Sequence, residues 1–488
     1  MQPEGGSAPV LFNSRLFVLA FLPLALGGFF ALGQCGRRAA ALWLLACSLV
    51  FYAWGNPACV FLLLGSIGAN YRLARCLAQR PKRGWLAVGL AGNLLLLGVG
   101  KYVRLAAPWV PALFGGWPVP LGISFFTFQQ IMFLVDFYRR DIALPGLLDY
   151  ACFIAFFPHL ISGPILRPGH ILPQLAALAP RRDMAARLAG GAEIFLLGLS
   201  KKLLLADQLA RFADPGFAAA GRHDPLTFIE AWVALLAYGA QIYFDFSGYC
   251  DMAVGLARMF GITFPQNFNR PYRATNVSDF WRRWNITLSS FLRDYLYIPL
   301  GGNRRGEARR VVNLMITMLL GGLWHGAAWR FLLWGGLHGL FLVIHGVWAK
   351  WGWRLPQPLA WGLTLLCVLL AWVPFRAPGW AATLDFYAGL CGAHGVAVPS
   401  FYAALAPGLG KLVHIVPVLP WLGDARTVSL AQAGLLLGLA WFVALAVPGP
   451  APGRAGWGRS AALVAGFGFC VQALFFAPAA VPFLYFQF

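Results

Sequence analysis

Five apolar stretches in the first 140 residues, at 16–32, 39–54, 59–74, 85–102 and 121–138, constrain the fold more than any other feature. A hydrocarbon core about 30 Å thick takes roughly 17–25 helical residues to cross. Inside lipid every backbone N–H and C=O must be satisfied within the protein, which leaves helices and closed barrels. The stretches are continuously apolar, without the period-two alternation of barrel strands, so they are read as helices. Only 11% of the 488 residues are charged, against about 25% in a soluble domain. The expected fold class is therefore all-α and polytopic. About eleven to thirteen transmembrane, tilted and re-entrant helices are expected in one integral membrane domain over 1–488.

Charge then orients the spans. The formal net charge is +21, from 38 Lys+Arg against 17 Asp+Glu. In a soluble chain that excess would point to nucleic acid. Here the basic residues sit at the ends of apolar runs, where positive-inside orientation and anionic headgroups account for them, and no nucleic-acid partner is read. Arg37 and Arg38, the loop RCLAQRPKRG at 75–84, and Arg139 with Arg140 should all be cytoplasmic. The first apolar run follows no basic n-region and is read as a retained span. The nine cysteines are scattered without a CxxC pair, so neither zinc nor a disulfide framework is indicated.

Past residue 147 the pattern becomes irregular. The run 150–160 is too short to span and is broken by Pro158, Gly163, Pro164 and Pro168, which predicts a re-entrant or broken helix against protein. His159 within it is read as a packing histidine. Asp245 and Asp251 are six residues apart, about 120° apart on a helix, and do not share a site. At least one is expected to pair with an arginine of the FWRRW or FLRDY segment, because charges in apolar surroundings persist when paired. The Pro/Gly-rich stretch 448–459 is read as a linker between spans. His338 and His345 lie on one helix stripe among Trp, Leu and Gly, and are read as packing or interfacial.

The region 279–350 differs from the rest. It opens with DFWRRWNITLSSFLRDYLYIPLGGNRRG and continues into LLGGLWHGAAW. On a helical wheel Trp281, Trp284, Leu288, Phe291, Leu292, Tyr295 and Leu296 fall on one side, with Arg283, Ser290 and Asp294 opposite. Asn285 interrupts the apolar side. After the basic turn at Arg304 and Arg305 comes an apolar run with one central titratable residue, His325. Counted from Val311, His325 lies roughly 22 Å along a helix, within the membrane thickness. An ionisable residue at that depth is a functional-site hypothesis by default.

These residues resemble the membrane-bound O-acyltransferase family, most closely its bacterial branch containing the alginate O-acetyltransferase membrane subunit. FYAWGNP at 51–57, PLGISFFTFQQIMFLVDFYRRD at 120–141, FFPHLISGPILRP at 156–168, AQIYFDFSGYCDMAVGLARMFG at 240–261 and the closing FLYFQF extend the likeness over nearly the whole chain. The resemblance implies a helical bundle around a central cavity, with His325 as general base and Asn285 as its partner. Trp281, Trp324, Arg304 and Arg305 are assigned to substrate binding. Bacterial members usually carry histidine where this chain has Asn285, while eukaryotic relatives often carry asparagine.

No G-x-S-x-G elbow, Walker A loop, dinucleotide fingerprint or H-E-x-x-H pair occurs. An imidazole at membrane depth suits removal of a proton from an attacking hydroxyl. The expected activity is transfer of an acetyl group, with acetyl-CoA as donor substrate, no bound cofactor and no metal. The acceptor is an exopolysaccharide such as alginate, or an extracytoplasmic acetyltransferase protein. The expected location is the bacterial inner membrane. The alternative is a transporter or channel with His325 lining the pathway, since broken helices and intramembrane histidine fit both.

Overall fold

The computed structural model describes residues 11–55, 57–102, 120–180, 183–399, 414–416, 428–447 and 481–484. The linker at 448–459 and most of the apolar run after it lie outside these. Helices follow in the order α1 (Leu22–Leu32), α2 (Arg37–Gly55), α3 (Pro57–Gln79), α4 (Arg83–Leu97), α5 (Ile123–Arg139), α6 (Leu147–Ala155), α7 (Phe157–Leu160), α8 (Pro168–Ala176) and α9 (Met184–Ser200). Then come α10 (Asp207–Gly221), α11 (Phe228–Met259), α12 (Val277–Arg283), α13 (Ile286–Leu292), α14 (Glu307–His325), α15 (Trp329–Lys350), α16 (Gln357–Arg376), α17 (Trp380–Leu390) and α18 (Val428–Ala446). Among the described residues five segments are long and apolar enough to cross a membrane, namely Phe17–Cys35, α3, Arg83–Tyr102, α15 and α16. The described residues are thus helical, as expected, apart from a short parallel strand pair, Ala397–Pro399 with His414–Val416.

The chain forms two compact units. The first holds residues 1–200, 248–267 and 450–488. Its core is aromatic: Phe157 meets Phe17, Phe21 and Phe51 at ring-centroid distances of 6.2, 5.4 and 5.6 Å. The irregular segment is broken at Phe156, between α6 and α7, with Pro158 in the first turn of α7, where its missing N–H costs nothing. All four residues of α7 are buried, which is the protein-lined setting such backbone needs. His159 is fully buried, and its Nδ1 shares a 2.9 Å hydrogen bond with the Gln129 amide. The end of α11 crosses α9 closely. A Cβ on Gly198 would strike the Gly248 carbonyl, and one on Gly191 the Gly255 carbonyl. Paired glycines seven residues apart on both helices permit that approach.

The second unit holds residues 201–247 and 268–449. Lys202, 1% exposed, bridges Asp207 and Asp245 at 2.8 Å each. Asp245 thus has a lysine as a partner, while Arg283 and Arg293 are paired with their neighbours Asp279 and Asp294. Asp245 lies in the interior of α11. That helix is 32 residues long in all, Phe228–Met259. α14 and α15 form a hairpin of very close approach. A Cβ on Gly322 would meet the Phe331 carbonyl, and one on Gly335 the Met318 carbonyl. At its open end Glu307 is paired with Lys350 at 2.8 Å.

Candidate active site

The whole of 279–350 falls in the second unit. The wheel predicts one amphipathic helix there, and the structure corrects this to two. α12 ends at Arg283, Trp284 is extended, and Asn285 turns through the left-handed region at φ 42° before α13 begins. Asparagine tolerates that conformation better than any branched or aromatic neighbour would. The apolar side survives the break, since Trp284, Leu288, Phe291 and Leu292 are buried. Asn285 is itself only 3% exposed. The polar interruption in the apolar pattern is thus a buried corner.

The basic turn after α13 uses glycines where the backbone demands them, Gly301 at φ 116° and Gly306 at φ 80°. Asn313, one turn and a half into α14, donates to the Gly302 carbonyl at 3.0 Å and ties the turn to the helix. Arg304 and Arg305 are exposed. α14 then runs for 19 residues and ends on His325 itself, roughly 28 Å at about 1.5 Å per residue. Arg304 and Arg305 therefore stand at the opposite end of α14 from His325, and the structure does not bring them together.

His325 is 8% exposed and enclosed by aromatic rings from three helices. Its ring centroid lies 4.6 Å from Trp324, 4.9 Å from Trp334 on α15 and 4.9 Å from Phe375 on α16. Trp334 lies 5.8 Å from Trp372, which lies 5.1 Å from Trp284, the neighbour of Asn285. A chain of rings thus links the two residues. The two elements also touch directly, since Leu292 of α13 sits against Gly321 of α14. Trp281 joins the same cluster, 5.7 Å from Trp334.

Trp334 carries no signal of its own in the sequence, and His338 reads there as packing. These two are four apart on α15, hence on one face. His338 is fully buried, with its ring 4.8 Å from Trp334, whereas His345 is half-buried, so the shared stripe does not give them a shared environment.

Comparison with known proteins bears on what such a site does. The sequence model of the membrane-bound O-acyltransferase family matches residues 75–366. The chain is 41% identical over 433 residues to the peptidoglycan O-acetyltransferase of Helicobacter pylori, covering 80% of this chain and 81% of that protein. It is 42% identical over 387 residues to the probable alginate O-acetylase AlgI of Pseudomonas aeruginosa, covering 75% and 72%. A more distant similarity, 29% over 240 residues, is to the teichoic acid D-alanyltransferase of Streptococcus thermophilus, covering 47% and 57%.

Proposed function

Since the chain belongs to the membrane-bound O-acyltransferase family and is a membrane acyltransferase, we propose that it carries an acetyl group from cytoplasmic acetyl-CoA across the bacterial inner membrane for O-acetylation of a cell-surface polysaccharide. The observation that carries this reading is the placement of His325. It closes α14 inside an aromatic enclosure, one helix length from an exposed basic turn. By the positive-inside rule the turn belongs to the cytoplasm, and on this reading α14, roughly 28 Å long, leads from it to a His325 held within a core about 30 Å thick. The basic turn and His325 thus lie at opposite ends of one helix.

In the proposed step the His325 imidazole removes the proton from an acceptor hydroxyl as its oxygen attacks the thioester carbonyl. The tetrahedral oxyanion collapses, the C–S bond breaks, and the imidazolium returns the proton to the departing thiolate. The ester formed and the free thiol balance the reaction. Asn285 orients the ring or the acyl carbonyl through its amide. Trp324 walls the acyl group beside His325, Trp281 lines the donor, and Arg304 with Arg305 meets its anionic part. The immediate acceptor is a polysaccharide hydroxyl or that of an extracytoplasmic acetyltransferase protein. Membership of an acyltransferase family removes the support for the transporter alternative.

Two polymers are in question, an exopolysaccharide such as alginate and peptidoglycan. The second enters because the peptidoglycan relative is as similar as the alginate one and matches over more of this chain. Mass spectrometry of both polymers, with and without the gene, tests the proposal. Loss of O-acetyl groups from one of them is expected, and unchanged acetylation of both would refute it.

A further inference from the structure

His338 is completely buried. Its ring is parallel to Phe280 at 6.0 Å and meets Trp281 at 5.2 Å and Trp334 at 4.8 Å. Among the described residues neither of its ring nitrogens has a hydrogen-bond partner, and the same holds for Nε1 of Trp281 and of Trp334. A neutral imidazole brings one N–H and one lone pair, and each indole one N–H. One aromatic enclosure thus collects three donors and one acceptor. Each buried polar group left unmade costs roughly 1–3 kcal/mol. Phenylalanine has nearly the same shape and would cost none of it. Packing alone therefore gives no reason for an imidazole here, whereas a polar ligand does.

We propose that His338, with Nε1 of Trp281 and Trp334, binds a secondary amide in the arm of the acyl-thioester donor. A secondary amide carries a carbonyl with two lone pairs and one N–H, which matches donor-rich indoles beside one imidazole acceptor. Coenzyme A carries such amides between its thioester and its phosphates. Trp334 sets the position: its ring lies 4.9 Å from His325 and 4.8 Å from His338. An amide held at His338 places the thioester one indole away, at His325. His338 is thus a donor-binding residue. The assignment rests on the proposed acetyl-CoA chemistry.

The test measures binding of radiolabelled acetyl-CoA to the full chain in nanodiscs, together with thermal stability. His338→Phe should bind at least about tenfold more weakly, while its melting temperature holds or rises because unmade polar groups are gone. His338→Asn, which restores a donor and an acceptor, should recover part of the affinity. Equal affinity in wild type and His338→Phe would overturn the assignment, and so would a melting temperature lowered by several degrees, since the nitrogens would then serve the fold. His325→Ala should bind acetyl-CoA as the wild type does and lose transfer. If it keeps transfer, the proposed mechanism fails whatever His338 does. A wild type that does not bind acetyl-CoA would overturn both.

Discussion

At Asn285 a single side chain serves two needs. Its backbone is left-handed, φ 42°, and its side chain is buried at the corner between α12 and α13. The sequence revealed half of this: an amide on an apolar face is visible on a wheel. The corner was not legible, because the apolar periodicity continues through it and only the backbone changes. Histidine and asparagine are both enriched among non-glycine residues in that region. Asn285→His should therefore keep the corner and substantial acetyl transfer if the position orients a partner. Total loss of transfer in folded protein at normal membrane levels would count against that role. His325 was legible as a lone titratable residue in an apolar run. Its enclosure was not, because Trp334 and Phe375 come from helices with no motif of their own.

Among the elements, the α14–α15 hairpin sets where His325 stands. Its closeness depends on Gly322 and Gly335, where an added methyl would strike backbone that cannot yield. Overpacking of this kind costs roughly 1–3 kcal/mol or more, so Gly335→Ala should lower the melting temperature and reduce transfer together. Gly362 on α16 is the control, since a methyl added there would have nothing within 4 Å. Gly362→Ala should stabilise by roughly 0.5–1 kcal/mol, the helix preference for alanine. Thermal unfolding in one detergent decides both, and a tolerated Gly335→Ala would contradict the packing argument. Uniform apolar runs marked the positions of α1 to α5 closely. α10 escaped because its run is polar and interrupted by Pro215, although the structure carries the proline inside a continuous helix. The partner of Asp245 inside α11 was not legible, because Lys202 lies 43 residues earlier.

Over the whole molecule, excess positive charge and one helix length together give the chain a direction. Arg304 and Arg305 are exposed at one end of α14 and His325 is enclosed at the other. Replacing both arginines by alanine should raise the apparent KM for acetyl-CoA more than it lowers kcat, and the effect should shrink at high salt, where exposed charges are screened. A fall in kcat alone would detach the turn from the donor. The central claim is that His325 performs the proton transfer. It is tested most directly by polymer O-acetylation in a deletion strain complemented with His325→Ala or His325→Gln at matched membrane levels. General-base catalysis contributes roughly 10²- to 10⁴-fold, so acetylation should fall by about that factor in both variants while each still inserts and folds. Full acetylation with His325→Ala would contradict the account.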